Sequence, residues 1–217
     1  MHVLDDLVAA LRTLPTIGPK TARRLALHVL QRDRPAADQL ATALQAALAS
    51  LKPCAQCRQL SVTPLCAVCA DTDRDQGLVC VVETLDDLYQ IEQTGVFTGR
   101  YFLLNGHLSP LDGIGPEELG IPDLLAQVTG QATGDYPAQP VRELLLALNP
   151  QVEGQATTQY ITDQIDLMPQ SVTLSTLAQG VPMGRDINRL DPATLSMAVN
   201  QRVPRAGHKH LDQEGTS

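Results

Sequence analysis

Four cysteines stand in one short window with the spacing Cys54-x2-Cys57-x8-Cys66-x2-Cys69. Each Cys-x-x-Cys pair can turn two sulfurs toward one point, and two such pairs supply the four thiolates of a tetrahedral zinc site. Protein ligands would then fill every coordination position, so the spacing predicts one structural zinc ion per chain rather than a catalytic one. Two disulfides, or four free thiols, are the alternative interpretation.

The segment between the two cysteine pairs is too short to form much of a core of its own. It runs over residues 58–65, and Pro53 and Pro64 stand near the pairs as turn residues would. A bound ion would have to hold such a loop together, because structural metal binding is coupled to folding. The window therefore predicts a small knuckle or ribbon rather than a finger with a long helix.

Composition and charge narrow the range of partners. The 217 residues include no Trp, two Phe and four Tyr, which argues against aromatic platforms for single-stranded bases. The net charge of −8 argues against a chain that coats nucleic acid over its whole surface. Residues 1–34 nevertheless carry +3, and the rest carries −11. This asymmetry predicts that the amino-terminal segment meets an anion.

The chain carries no sign of a targeting or membrane segment. Asp5 and Asp6 interrupt the start, and no apolar run approaches the roughly 20 residues that span a bilayer. We therefore expect a cytoplasmic protein without a membrane partner, in which thiols stay reduced and favour metal over disulfide. Cys80, the fifth cysteine, lies in the apolar run 78–82 and is predicted to be a buried strand residue.

Helical periodicity dominates the first 51 residues. Leucines at helical spacing predict a first helix that ends before Pro15, and Pro19 suits the first turn of a second helix through about Leu30. Residues 32–35 are predicted to be a linker. Four leucines then form one apolar face of a third helix: Leu40, Leu44, Leu48 and Leu51.

From Leu78 onward, strands alternate with helices, which predicts an α/β fold with a parallel sheet. The predicted strands are 78–82, 101–104, 141–148 and 172–174, and the predicted helices are 84–94, 117–129, 153–166 and 191–201. Residues 203–217 are polar and are predicted to be a disordered tail.

The string Leu-Pro-Thr-Ile-Gly-Pro-Lys at 14–20 joins the first two helices through a tight turn. We expect a positive φ at Gly18, and free backbone N–H groups at the start of the second helix would form an anion site. Lys20, Arg23 and Arg24 follow within the next turns. This arrangement resembles the helix-hairpin-helix motif, which binds DNA phosphates without reading sequence. An ordinary helical hairpin with a solvated basic face is the alternative.

Acidic residues follow two of the predicted strands. Glu83 ends the first strand, and Glu153 lies in the stretch that follows the strand 141–148. Because the carboxyl ends of parallel strands share one edge, the two stretches could face one another. The combination resembles the Toprim domain, but Asn149 and Gln151 stand where that family has an Asp-x-Asp pair. Two carboxylates are few for a magnesium site on a phosphodiester, so we predict weakened or absent catalysis.

Taken in order, these parts resemble the RecR family of bacterial recombination mediators. Matching strings are 14–20, the cysteines at 54–69, Cys-Val-Val-Glu at 80–83, the twelve residues 106–117, Asn-Pro-x-x-Glu-Gly at 149–154 and Gly-x-Pro-x-Gly at 180–184. The resemblance divides the chain into a helix-hairpin-helix domain (1–53), a zinc motif (54–69), a Toprim-like domain (78–175), a carboxyl-terminal segment (176–202) and the tail.

The resemblance also implies a function. Family members are not enzymes; they form dimers or ring-shaped tetramers that can encircle DNA, and they act with RecO and RecF to load RecA at gaps. The DNA contacts of the family map onto Lys20 and Arg24, and the zinc ligands map onto the four cysteines of the window. The acids tied in the family to contact with RecO map onto Glu83 and Glu153.

Three positions depart from the family pattern. Gln155 stands where the family commonly has an acid, Thr176 where it usually has an arginine, and Arg185 where it usually has a second glycine. Two other functions stay open at this point. One is a magnesium-dependent Toprim nuclease that uses Glu83 and Glu153, and the other is a scaffold that binds only proteins.

Overall fold

The computed structural model describes residues 3–131, 140–177, 186–200 and 202–204. The chain forms two compact units, Met1–Leu51 and Lys52–Ser217. The predicted fold class is confirmed: a helical amino-terminal region precedes a four-cysteine cluster and an α/β domain with a parallel sheet. No helix within the described ranges has both the length and the apolar character needed to cross a membrane.

The first unit contains three helices, α1 (Val3–Arg12), α2 (Pro19–Gln31) and α3 (Arg34–Ser50). Pro19 occupies the first turn of α2, as predicted. The linker predicted over 32–35 is shorter than expected, because α3 already begins at Arg34. The Asp33 carboxylate accepts a hydrogen bond from the Ala36 N–H at 3.1 Å, so an aspartate inside the predicted linker is the cap that starts the helix.

The leucine face of α3 exists but is not covered. Leu40 and Leu44 are exposed, and Leu48 retains 81% of its accessible surface. No residue of α3 is buried. Periodicity predicted the helix and its apolar side correctly, but it could not tell whether the chain itself covers that side.

The second unit begins with a two-stranded antiparallel ribbon, β1 (Lys52–Pro53) and β2 (Leu60–Ser61), followed by the single-turn helix α4 (Ala67–Ala70). The main sheet contains β3 (Asp75–Val82), β4 (Gly99–Leu103), β5 (Glu143–Ala147), β6 (Thr173–Thr176) and β7 (Val203–Pro204) in the order β4-β3-β5-β6-β7. The first four of these strands are parallel, and β7 pairs antiparallel with β6.

Helices cover both faces of the sheet. They are α5 (Leu85–Gln93), α6 (Ile121–Val128), α7 (Val152–Asp166) and α8 (Pro192–Asn200), with a short 3-10 helix at Ile187–Arg189. Alternate residues of β3 point to opposite faces. Cys80 packs on the side of α5, α8 and the four clustered cysteines, whereas Val81 packs on the side of α6 and α7. The prediction that Cys80 is a buried strand residue is confirmed.

The predicted start of the tail was wrong, because Val203 and Pro204 form an edge strand of the sheet. A proline is acceptable there, since an edge strand need not donate every backbone hydrogen bond. Arg185, the Gly-x-Pro-x-Gly string and tail residues 205–217 lie outside the described residues. Thr176 ends β6 and is half-buried.

Candidate functional site

The four cysteines converge on one point. Cys54 and Cys57 lie on the turn between β1 and β2, and Cys66 and Cys69 lie at the two ends of the first turn of α4. Their Sγ atoms all lie within 4.8 Å of one another, and all four residues are buried and free of disulfides. A zinc ion with four Zn–S bonds of about 2.3 Å needs sulfurs ~3.8 Å apart, so the donor set fits a closed thiolate site.

Backbone N–H groups support the sulfurs. The Cys66 N–H donates to Cys54 Sγ at 3.3 Å, and the Cys69 N–H donates to Cys66 Sγ at 3.4 Å. Hydrogen bonds from the neighbouring thiols stabilise a thiolate at Cys54 and so lower the pKa of Cys54. The same hydrogen bond raises the pKa of Cys57, because Cys57 has to keep its proton to donate it to Cys54. The thiolate, the form that binds metal, is thus favoured at Cys54 and Cys66, where the pKa is lowered, whereas the pKa of Cys57 and Cys69 is raised.

The cysteine motif is joined to the sheet unit by hydrogen bonds. The Leu103 N–H donates to the Cys57 carbonyl at 3.0 Å, and Gln127 Nε2 donates to the Gln56 carbonyl at 2.8 Å. Arg58 reaches the other way: its guanidinium donates to the carbonyls of Glu118 and Leu119. The motif therefore braces the sheet and the loop before α6. These contacts predict that loss of the proposed metal ion acts on the second unit rather than on the amino-terminal half of the chain.

The basic face predicted for α2 is present. Lys20, Arg23 and Arg24 are exposed on one side, and Ala22 and Ala26 are buried on the other. Residues three and four apart share a helix face, so the three cations lie together.

The turn that leads into this helix differs from prediction. Gly18 has an extended φ of −79°, and Thr16 takes the left-handed conformation at φ 68°. Gly18 has no side chain to cap the helix, and no side-chain hydrogen bond caps the start of α2. The first N–H groups of α2 are therefore available to an external anion, with three cations in the following turns.

Glu83 lies at the carboxyl end of β3 and is buried. Its two carboxylate oxygens accept hydrogen bonds from Asn149, at 3.0 Å from the backbone N–H and at 2.7 Å from the side-chain amide. Burial raises the pKa of Glu83, although the bonds from Asn149 act in the opposite direction. The N–H groups of Asn149 therefore take the place of a cation, because they direct partial positive charge at both carboxylate oxygens of Glu83.

Asn149 also joins this site to the chain segment that follows the sheet. Its Oδ1 accepts a hydrogen bond from the Ile187 N–H at 3.1 Å. Gly154 packs against the same group, since a Cβ there would lie 2.1 Å from the Asn149 carbonyl oxygen and 2.6 Å from Glu83 Oε1. Asn149 therefore connects β3, β5 and the start of the 3-10 helix.

A cavity of about 320 Å³ opens beside Glu83 at the carboxyl edge of the sheet. Asp87 is 1% exposed, and its Oδ2 accepts hydrogen bonds from the backbone N–H and hydroxyl of Thr84. Asp87 Oδ1 is buried and has no hydrogen-bond partner among the described residues. The cavity is lined by Glu83, Thr84, Asp87, Gly106, His107, Asn149, Gln151, Glu153, Gly154, Asp186 and Asn188.

The structure brings Glu83 and Glu153 to the same cavity, as the sheet topology suggested, but Glu153 is exposed on the first turn of α7. Gln155 does not act there; its side chain donates to the Pro150 carbonyl at 3.0 Å. Sequence reasoning missed three further residues. Asp87 stands in the first turn of α5, where an acid is ordinary. His107 has no partner nearby along the chain, but its Nδ1 lies 3.9 Å from Glu83 Oε2. Asp186 lines the cavity although it is far from the other lining acids in sequence.

A larger cavity, about 710 Å³, lies at the opposite edge of the sheet. Its charged side chains are paired: Arg142 with Asp75 at 2.8 Å, and Arg202 with Glu143 at 2.7 Å. Because these charges already neutralise one another, they offer little to a charged ligand. We therefore place the candidate site in the cavity at the carboxyl edge of the sheet, although its volume is smaller.

Comparison with known proteins agrees with this arrangement. A family model described as "RecR, helix-hairpin-helix" matches residues 4–48, and one described as "Toprim domain" matches residues 77–178. A protein of Stutzerimonas stutzeri named "Recombination protein RecR" is 46% identical over 202 residues, which is 93% of this chain and 96% of the relative.

Proteins with the same name give similar values. The Acinetobacter baylyi protein is 45% identical over 199 residues, which is 92% of this chain and 96% of its own length. The Pseudomonas putida protein is 45% identical over 202 residues, which is 93% of this chain and 96% of its own length. Identity at this level over nearly the whole chain leaves little room for another assignment. The chain belongs to the RecR family of recombination proteins.

Proposed function

We propose that this protein is a non-catalytic, DNA-binding mediator of recombinational DNA repair that acts with RecO and RecF to load RecA at gaps. The observation that carries the DNA-binding part is the uncapped start of α2 beside three exposed cations. Such a site binds phosphate without reading bases, which suits a protein that acts at any gap. Family membership supports the rest of the role.

Gly18, Lys20, Arg23 and Arg24 are the proposed DNA contacts. The backbone at Gly18 leaves room for a phosphate, since a Cβ there would meet no atom within 4 Å. The net charge of −8 confines favourable contact with DNA to a local patch. Binding should therefore be weak, sequence-independent and sensitive to salt.

The metal is proposed to be zinc, one ion per chain, held by Cys54, Cys57, Cys66 and Cys69. Four buried sulfurs within 4.8 Å of one another suit a soft, tetrahedral ion. Zinc bound there would supply folding energy, because all its ligand positions are taken by protein.

Absence of catalysis is part of the proposal. The Asn149 amide donates to the buried Glu83 carboxylate where a magnesium site would need another acid. The alternative, a magnesium-dependent nuclease, would have to recruit metal to a carboxylate whose oxygens already accept two N–H donors. We instead assign Glu83 and Glu153 to contact with RecO.

We further propose a homo-oligomer, a dimer or a ring, which works in the cytoplasm. The exposed leucines of α3 support self-association, because a row of exposed leucines along one helix face favours an interface. We also propose the domain division 1–53, 54–69, 78–175 and 176–202.

The test of the DNA contact is the double variant Lys20→Ala/Arg24→Ala, measured by fluorescence anisotropy with a gapped duplex over a range of salt concentrations. We expect affinity at low salt to fall by roughly tenfold or more, and the slope of log K against log salt to become smaller by about 1.5. Arg32→Ala/Arg34→Ala, at the cap that ends α2 and the first residue of α3, removes the same charge and is the control. Equal losses in both variants, or no loss in either, would contradict the proposal.

A further inference from the structure

Arg100 is a buried arginine that has no acidic partner among the described residues. It lies on β4, at the edge of the main sheet, and is 4% exposed. Its guanidinium donates to the Gln76 backbone carbonyl, through Nε at 3.1 Å and Nη2 at 3.0 Å. No carboxylate of the described ranges forms an ion pair with it. Because an arginine keeps its charge inside a protein, this buried positive charge requires compensation from another source.

Two acids on neighbouring elements are bound to other arginines. The carboxylate of Asp75, on the adjacent strand β3, accepts a hydrogen bond from Arg142 at 2.8 Å. The carboxylate of Glu92, on α5, is bound by Arg74. Their negative charge is therefore already matched, and the compensation for Arg100 has to come from a different part of the second unit.

The cysteine motif packs on the outer edge of β4. The Leu103 N–H of this strand donates to the Cys57 carbonyl at 3.0 Å, and α4, which carries Cys69, packs against the strand. Burial lowers the pKa of Arg100, whereas negative charge on Cys69, Cys57 and Cys54 raises it. Sulfurs of the cluster therefore lie close enough to act on the charge of this arginine.

A metal-loaded cluster would provide the missing negative charge. A divalent ion with four thiolate ligands carries a net double negative charge, because the thiolates outweigh the ion. Burying such a centre is unfavourable unless positive groups offset its charge. The backbone N–H groups of Cys66 and Cys69 direct partial charge at two of the sulfurs. A buried guanidinium adds a full positive charge, and each of the two buried charges then lowers the free-energy cost of the other.

We propose that Arg100 is the charge partner of the metal centre formed by the four cysteines, and that it stabilises the metal-bound cluster by offsetting the negative charge of the thiolates. This inference rests on the proposed zinc site, and it adds a residue outside the ligand set that determines how tightly the metal is held. Changes to groups around the ligands of a metal lower its affinity by roughly ten- to a hundredfold.

The first measurement is the Zn²⁺ affinity of the full chain, determined by competition with a chromophoric chelator. Arg100→Gln removes the charge but keeps a donor for the Gln76 carbonyl, and it should bind Zn²⁺ about tenfold more weakly. Arg100→Lys keeps the charge and should recover most of the affinity. The matched control is Arg74→Gln, which removes a partly buried arginine that donates to the Gly99 carbonyl at 2.8 Å and is paired with Glu92. It should bind Zn²⁺ as the unaltered protein does.

The second measurement separates a role in charge from a role in packing. The protein is loaded with Co²⁺, and the thiolate-to-cobalt charge-transfer absorption is recorded. Without a cation nearby, a thiolate gives up an electron more easily, so the absorption of Arg100→Gln should move to longer wavelength. The absorption of Arg100→Lys and of Arg74→Gln should stay in place. Only metal-loaded protein contributes to this absorption, so the measurement also decides the question if Arg100→Gln folds poorly without metal.

The outcomes distinguish this inference from the zinc site on which it rests. Unchanged Zn²⁺ affinity and an unchanged absorption in Arg100→Gln would overturn it and leave the proposed zinc site intact. Equal losses of affinity in Arg100→Gln and Arg100→Lys, with no shift of the absorption, would show that the arginine serves to hold the Gln76 carbonyl and would also overturn it. If the unaltered protein binds neither ion, the zinc site and this inference fail together.

Discussion

At the scale of single residues, Asn149 determines the chemistry of the carboxyl edge. The group that meets the buried Glu83 carboxylate is an amide donor, supplied by a residue 66 positions later in the chain. An aspartate there would place two carboxylates in contact inside a poorly solvated site and would require a cation between them. Asn and Asp at position 149 differ by one side-chain nitrogen in place of an oxygen. This atom decides whether Glu83 meets a hydrogen-bond donor or a second carboxylate with which it could bind a metal ion.

Asn149→Asp is accordingly expected to destabilise the protein at pH 7.5 by on the order of 3 kcal/mol, because a buried carboxylate loses a donor and gains a like charge. Urea unfolding measures the effect, and lowering the pH should reduce it as the carboxylates become protonated. Gln131→Glu, which adds a charge at an exposed position outside the cavity, is the control. An equally stable Asn149→Asp protein would contradict the role given to the amide.

Asp87 gives a second prediction, on pH. Burial raises its pKa above the ordinary value of 3.8, so between the unfolded and the folded pKa the folded protein binds a proton that the unfolded chain has released. The stabilisation that the Asp87 carboxyl group contributes is therefore fully present below about pH 4 and is lost as the pH rises through the folded pKa. Asp87→Asn cannot lose a proton, so its unfolding free energy should increase relative to the unaltered protein over that pH range. If the difference in unfolding free energy between Asp87→Asn and the unaltered protein did not change with pH, or if Asp86→Asn showed the same change, the effect would not come from the buried Asp87 carboxyl group.

At the scale of elements, the cysteine motif illustrates how a short segment acquires a long-range role. A ribbon of two two-residue strands and a single helical turn have almost no stability of their own. Contacts from Cys57, Gln56 and Arg58 nevertheless reach β4, α6 and the loop before α6. Metal bound to the four sulfurs would therefore stabilise one side of the sheet.

We expect Cys54→Ser to lose the proposed zinc ion and to increase amide hydrogen exchange in β3 and β4 more than in α1 to α3. Bound zinc is measured by inductively coupled plasma mass spectrometry and exchange by mass spectrometry. Cys80→Ala is the control, since it removes a buried sulfur on the same face of the sheet without removing a clustered cysteine; it should keep its zinc and cost about 1–2 kcal/mol. Faster exchange restricted to the first three helices would contradict the contacts described above.

At the scale of the whole molecule, charge and apolar surface are distributed unevenly. The first unit carries the basic face of α2 and the uncovered leucines of α3, and the second carries the acidic cavity. Under the proposed function, the first unit would contact DNA and further copies of the chain, and the second unit would contact partner proteins.

The leucines of α3 provide the prediction at this scale. Leu44→Asp/Leu48→Asp should lower the mass of the assembled protein in size-exclusion chromatography with light scattering, because burying two carboxylates in an apolar interface is strongly unfavourable. Leu167→Asp, a similarly exposed leucine, should not. An unchanged mass in the double variant would mean that α3 is not part of the interface, and a monomeric unaltered protein would exclude the oligomer itself.

The sequence by itself determined those features that depend on neighbours along the chain. The cysteine spacing predicted the cluster, Pro19 the start of α2, and alternating strands and helices the parallel sheet, because ligand reach, backbone φ and apolar periodicity are local properties. Only the tertiary structure decided that Asn149 meets Glu83, that Asp87 Oδ1 stays unsatisfied, that the α3 leucines remain uncovered and that Val203 joins the sheet edge. These outcomes depend on which distant segments pack together, and one local pattern is compatible with several such arrangements.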